Sequence, residues 1–95
     1  SDFYQAKRDQ FCRLLQGSRF RFTPAAGTYF QLLDYSEISD ENDVDLATRL
    51  TKEHKVAAIP ISVFYAEPPP TRLLRFCFAK DDRTLERAAE ILCAL

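Results

Sequence analysis

The sequence predicts an α+β fold: a two-layer sandwich in the order α-β-β-α-β-β-α, with helices on one face of a small, mostly antiparallel sheet. Three observations predict it. Apolar residues recur at helical spacing near the start, middle and end of the chain. Between them lie short runs that alternate in polarity or are dense in β-branched and aromatic residues. No repeat or linker divides the chain, and 95 residues are the size of a single domain, 1–95.

The elements follow in order. Residues 3–16 read as a helix, with Tyr4, Phe11, Leu14 and Leu15 at helical spacing and Lys7, Arg8, Asp9 and Arg13 between them. Gly17 suits the left-handed position just past its end. The stretch 19-RFRFTP-24 alternates charge and aromatic, the period of a half-buried strand, and Pro24 stops it. A turn at 25-AAG-27, with Gly27 free to take positive φ, leads into the strand 28-TYFQLLDY-35. So close a pair predicts an antiparallel hairpin. The polar run 36-SEISDEND-43 is a helix entry that Ser39 or Asp40 can cap, and Val44, Ala47 and Leu50 mark the buried face of a helix reaching about His54. The segment 56-VAAIPI-61 is a short apolar strand interrupted by Pro60, and 65-YAEPPPT-71 a proline-stiffened loop. The strand 72-RLLRFCFAK-80 follows. Asp81 or Asp82 caps the last helix, whose buried stripe is Leu85, Ala88, Ala89 and Leu92.

The last strand contains an anomaly. Successive side chains of a strand point to opposite faces. Leu74, Phe76 and Phe78 therefore form a core face, and Leu73, Arg75, Cys77 and Ala79 the other. A buried guanidinium without a partner costs several kcal/mol. Arg75 must face water, an internal carboxylate such as Asp34, or a ligand anion. Its face also carries either Thr28-Phe30-Leu32 or Tyr29-Gln31-Leu33, both fairly apolar. An apolar sheet face around one arginine is what a domain presents when it packs against something else.

Composition excludes several classes. Thirteen basic and fourteen acidic residues leave a net charge of −1, which gives no single-sign field for nucleic acid or an anionic membrane. No apolar run approaches the ~18 residues of a membrane span, and no signal-peptide pattern is present. Cys12, Cys77 and Cys93 lie in apolar surroundings and form no C-x-x-C pair, which reads as small buried hydrophobes in a reducing cytoplasm. The chain opens on Ser-Asp-Phe-Tyr and contains no Met, the expectation for a processed product or a piece of something longer.

Few residues are placed for chemistry. His54, the single histidine, sits at a helix end beside Lys52 and Lys55 with no Ser or Cys to form a nucleophile–base pair. Asp40, Glu41, Asp43 and Asp45 lack the glycine turn of a calcium loop and read as a solvated helix start; no metal site is expected. The glycines Gly17 and Gly27 are ten residues apart and form no phosphate cradle. Arg75 stands out, because its fork of donors matches a carboxylate with two parallel hydrogen bonds.

Three stretches, 27-GTYFQLLDY-35, 56-VAAIPISVFY-65 and 74-LRFCFAKDDRTLERAAEIL-92, occur in an order and spacing that resembles the C-terminal end of class I/II (fold-type-I) aminotransferases. The likeness extends over nearly the whole chain from 4-YQAKRDQF-11 and is closest to the branch of methionine and kynurenine–oxoglutarate aminotransferases. The resemblance implies a C-terminal small domain that packs on a large domain absent here, in a homodimeric, cytoplasmic enzyme dependent on pyridoxal 5′-phosphate. It implies that Arg75 binds the substrate α-carboxylate, and that Ser62 and Phe64 line the active-site mouth. It implies too that the cofactor and the catalytic lysine belong to the large domain, so that no catalytic or cofactor-binding residue is expected here and the chain is not active alone. Lys55 stands where the resemblance leads one to expect glycine. A stand-alone amino-acid-binding regulatory module is the alternative.

Overall fold

The computed structural model describes residues 2–25, 29–64, 66–67 and 72–95. Three helices pack on one face of a three-stranded antiparallel sheet, in the order α1 (Asp2–Leu14), β1 (Phe30–Asp34), α2 (Asp43–Arg49), β2 (Ile59–Pro60), β3 (Leu73–Cys77) and α3 (Asp82–Cys93). The strand order is β1-β3-β2, so the arginine strand is central. The predicted class and layering hold. Among the described residues, no helix is long and apolar enough to cross a membrane.

The core forms where the periodicities meet. Leu74, Phe76 and Phe78 share one face of β3 and its extension, and Gln31, Leu33 and Tyr35 continue it on β1. Against them pack Phe11 within α1 and Leu15 just after it, Leu46, Ala47 and Leu50 around α2, and Leu85, Ala89 and Leu92 of α3. Burying side chains of this size contributes roughly 1.5–3 kcal/mol each. Ala88, placed on the buried stripe from sequence, packs only at the margin of this core, as does Tyr4. Leu14 is 36% exposed.

The predicted first strand, 19–24, is reduced to one antiparallel bridge between Arg21 and Asp34. Pro24 has no N–H to continue a ladder. The backbone groups beyond the bridge go instead to one side chain: Gln31 Nε2 donates to Thr23 O at 2.8 Å, and Ala25 N–H donates to Gln31 Oε1 at 2.9 Å. A buried glutamine so satisfied costs little. The expected hairpin is thus a side-chain clamp, and Gly27 lies outside the described residues.

Two further corrections concern the middle of the chain. Asn42, not Ser39 or Asp40, caps α2, its Oδ1 accepting from Asp45 N–H at 2.9 Å. Starting the helix later turns the buried face to Leu46, and Val44 is left 41% exposed. The strand expected at 56–61 shortens to Ile59–Pro60. Val56 is tied to the helix end, its N–H donating to Leu50 O at 3.1 Å and its carbonyl accepting from Thr51 Oγ1. Pro60 sits on the edge strand, where a missing donor is tolerated.

The helix ends on a left-handed residue, at the position where the resemblance implies glycine. A π-helical turn, Leu50–His54, closes on Lys55 at φ 59°, ψ 34°. A left-handed conformation costs a residue with a Cβ roughly 1–2 kcal/mol. Lys55→Gly is therefore expected to stabilise the protein by about 0.5–1 kcal/mol after the added unfolded-state entropy is subtracted. A denaturant midpoint that does not rise would show that the turn carries no strain. At the other end of the chain Asp81 caps α3 through Thr84 N–H at 2.8 Å.

Candidate functional site

Arg75 lies mid-strand on the face turned away from the helices. Register sets its neighbours: Leu32 of β1 is opposite it on one side and Ile59 of β2 on the other. Phe30, two residues from Leu32 and on the same face, places its ring under the guanidinium, with Cζ 4.2 Å from the ring centroid. The outward parity of β1 is therefore that of Phe30 and Leu32, the first of the two sets the sequence left open, whose Thr28 lies outside the described residues. Leu32 is 45% exposed. Arg75 and Cys77 are half-buried, as is Ile59. The arrangement sets a cation near the centre of a largely apolar sheet face, the residue type whose fork of donors matches a carboxylate.

Asp34, the internal partner considered from sequence, is engaged elsewhere. Its Oδ1 accepts from Ser36 N–H at 2.8 Å and Ser36 Oγ at 2.6 Å. These hydrogen bonds, from the hydroxyl first, hold the carboxyl below the usual aspartate range. In the ladder it stands opposite Leu73 rather than Arg75.

Ser62 belongs to a 3₁₀ turn, Ser62–Phe64, that follows β2. Its N–H donates to Asp43 Oδ2 at 2.7 Å and its Oγ to Asp43 Oδ1 at 2.6 Å. Asp43 is 7% exposed, which corrects its reading as part of a solvated acidic run; Asp40 and Asp45 do lie in solvent. Burial pushes the Asp43 carboxyl up, but donors from Ser62, Val44 and Ile61 outweigh it and leave its pKa lowered. Nothing local in the sequence separates Asp43 from its acidic neighbours, because its partner is nineteen residues away. The side chain of Phe64 lies outside the described residues, as do Tyr65 and 68–71 of the proline loop.

The remaining candidates do not converge on Arg75. The backbone carbonyl of His54 accepts from Arg87 Nη2 at 3.3 Å. Lys7 pairs with Asp82 at 2.7 Å, and Lys52, Lys55 and Lys80 are exposed. Cys12 is buried and Cys77 half-buried, but Cys93 is exposed at the end of α3, its Sγ 3.5 Å from Leu14 O, contrary to the expectation of three buried thiols. Among the described residues no three His, Cys, Asp or Glu side chains gather as metal ligands.

Known proteins share this architecture. Residues 1–92 match the family described as aminotransferase class I and II. Methionine aminotransferase of Escherichia coli (strain K12) is 53% identical over 91 residues, covering 96% of this chain and 24% of that protein. Kynurenine–oxoglutarate transaminase 3 of Mus musculus is 36% identical over 102 residues, covering 95% of this chain and 22% of that protein. The crystal structure of YbdL from Escherichia coli, for which a methionine aminotransferase function was identified, superposes with a TM-score of 0.92 at 52% identity, over 99% of this chain and 25% of that one. N-succinyldiaminopimelate aminotransferase from Mycobacterium tuberculosis superposes with a TM-score of 0.84 at 30% identity, over 98% of this chain and 24% of that one. The chain spans about a quarter of the length of the curated relatives it matches.

Proposed function

We propose, from the premise that this chain belongs to the aminotransferase class I and II family, that it is the C-terminal small domain of a transaminase and that Arg75 binds the α-carboxylate of the amino-acid substrate. The observation that carries the reading is the position of Arg75: central strand, outward face, framed by Leu32 and Ile59 and seated on the Phe30 ring. A strand interior holds a side chain more rigidly than a loop does, and a fork of donors fixes a carboxylate in plane as well as in distance.

The described residues do not by themselves form a site for pyridoxal phosphate. Lys7 is paired with Asp82, the other lysines are exposed, and none shares the face of Arg75. The cofactor, which supplies an electron sink for bond breaking at the amino-bearing carbon, is assigned to the large domain outside this chain. The contribution of this chain is to bind and orient the carboxylate and, by packing its apolar face on that domain, to exclude water. The donor is taken to be methionine or an aromatic or glutamine-like amino acid and the acceptor a 2-oxo acid, on similarity to the relatives above. A homodimer in a reducing cytoplasm completes the proposal, the free cysteines being in keeping with that compartment.

The test uses the full-length protein. Absorption in the near-ultraviolet and visible, recorded with pyridoxal phosphate present, is expected to show a bound-cofactor band that changes on adding methionine and reverts on adding a 2-oxo acid. A protein with neither band nor amino transfer would overturn the transaminase reading and leave an amino-acid-binding module in its place.

A further inference from the structure

We infer that Asp43 is a positioning residue: through Ser62 it fixes the turn Ser62–Phe64 beside Arg75, so that the turn meets the side chain of a substrate whose carboxylate Arg75 binds. The inference rests on the carboxylate-binding reading above and adds how one donor side chain is told from another. The placement follows from register. Ile59 stands directly opposite Arg75 and Pro60 opposite Leu74, and the ladder between β2 and β3 ends there. Ser62 is three residues past Ile59, at most about 11 Å along the chain. The 3₁₀ turn that begins at Ser62 carries Val63, an apolar side chain left 60% exposed. An exposed apolar group this close to a carboxylate-binding arginine suits an apolar substrate side chain.

Beyond Pro60 the sheet no longer holds the chain, and Asp43 takes over. It opens α2, whose Leu46 and Ala47 are buried in the core, so its base is rigid. Its two carboxylate oxygens divide between the two donors of one residue: Oδ2 accepts from Ser62 N–H at 2.7 Å and Oδ1 from Ser62 Oγ at 2.6 Å. Such a pair fixes the backbone of Ser62 as well as its rotamer. Asp43 is buried, so water competes little for these bonds. The hydroxyl of Ser62 is thereby committed to α2, and its part is to anchor the turn rather than to touch the substrate. A turn fastened only at Pro60 would drift, and a displacement of about 1 Å is enough to weaken a contact made in the transition state.

The experiment measures kcat/KM of the full-length protein for methionine and for alanine, which shares the carboxylate but has only a methyl side chain. Asp43→Asn is expected to lower the methionine-to-alanine ratio about 10-fold, within the range a pocket gives for a few methylenes, with alanine itself little changed. Ser62→Ala, which leaves the backbone N–H bond in place, should lower the ratio about 3-fold and serves should Asp43→Asn prevent folding. Ser62→Thr, which keeps the hydroxyl, should retain the wild-type ratio. Asp81→Ala removes the cap of a different helix, α3, and should lower the melting temperature without moving the ratio. If Asp43→Asn and Ser62→Ala reduce both donors by the same factor, or lower the melting temperature alone, the positioning role is overturned and that of Arg75 stands. A threonine variant that loses the ratio as alanine does would also overturn it. If the full-length protein transfers no amino group from either donor, or Arg75→Lys changes neither, the underlying reading fails first and the inference falls with it.

Discussion

Arg75→Lys in the full-length protein is expected to raise KM for the amino donor and lower kcat together. On the proposed carboxylate role, the loss of a bidentate charged contact removes about 2–4 kcal/mol of transition-state binding. That is roughly a 30- to 700-fold fall in kcat/KM, at about 1.4 kcal/mol per factor of ten. Lysine keeps the charge but not the geometry. Its ammonium is a strongly hydrated point charge, whereas the guanidinium is planar, less hydrated and suited to the face of a ring. At this position the ring is present, Phe30 at 4.2 Å. The substitution therefore loses the fork and much of the seat that holds it. Steady-state kinetics with a good donor, together with a melting curve, separate the possibilities. Unchanged kinetics would remove Arg75 from the substrate site. A change in melting temperature with no change in kinetics would give it a structural role only.

The second large effect is expected at Asp43. Asp43→Ala removes the acceptor of two short hydrogen bonds, Ser62 N–H at 2.7 Å and Ser62 Oγ at 2.6 Å, in a site where the carboxylate is 7% exposed. A hydrogen bond to a charged group contributes about 1.5–3 kcal/mol, and a buried donor left unsatisfied has its own desolvation cost. A destabilisation of roughly 2–4 kcal/mol follows, read as a lower denaturant midpoint at unchanged slope. The pH dependence has a definite sign. The folded pKa of Asp43 is lowered, with burial opposing and the Ser62 donors prevailing. Its contribution is therefore complete above the unfolded value of ~3.9 and is lost as pH falls through the folded pKa. Asp43→Asn should accordingly flatten the acid limb of the stability curve and leave its neutral limb parallel to wild type. An acid limb identical in both proteins would mean that Asp43 titrates alike folded and unfolded. Asp34 and Asp81 are lowered by similar bonds, so the limb should become shallower rather than vanish.

Two kinds of residue separate what was legible from what was not. Leu74, Phe76 and Phe78 alternate cleanly, and the alternation alone assigned them to the core and Arg75 to the opposite face. Leu85, Ala89 and Leu92 announced the buried stripe of α3 in the same way, and the cap was narrowed to Asp81 or Asp82, of which Asp81 fills it. The left-handed turn at Lys55 was expected only through the family resemblance, which implies glycine there. The other signals are local: they depend on backbone period, side-chain size and the partners a few residues away. The strand expected at 19–24 had the right period and still did not form a ladder, because Gln31 took the backbone groups that a strand would have paired. Nothing in the alternation of 19-RFRFTP-24 reveals a side chain seven or more residues downstream.

By itself, then, the sequence determined the layered α+β architecture, much of the core and the position of Arg75 opposite the core face of its strand, whereas the strand order that makes this strand central came from the tertiary structure. The first three follow from periodicities of about 3.6 and 2 residues, which any apolar collapse must respect. Only the tertiary structure decided which parity of β1 faces outward, that Phe30 rather than Asp34 meets Arg75, and that Asp43 is buried against Ser62 while Asp40 and Asp45 stay in solvent. Each of those outcomes depends on register between segments distant in sequence. A register shift of one residue would exchange the two faces of β1 and put Asp34 in the core, and it is the packing of Gln31, Leu33 and Tyr35 against the helices that prevents it.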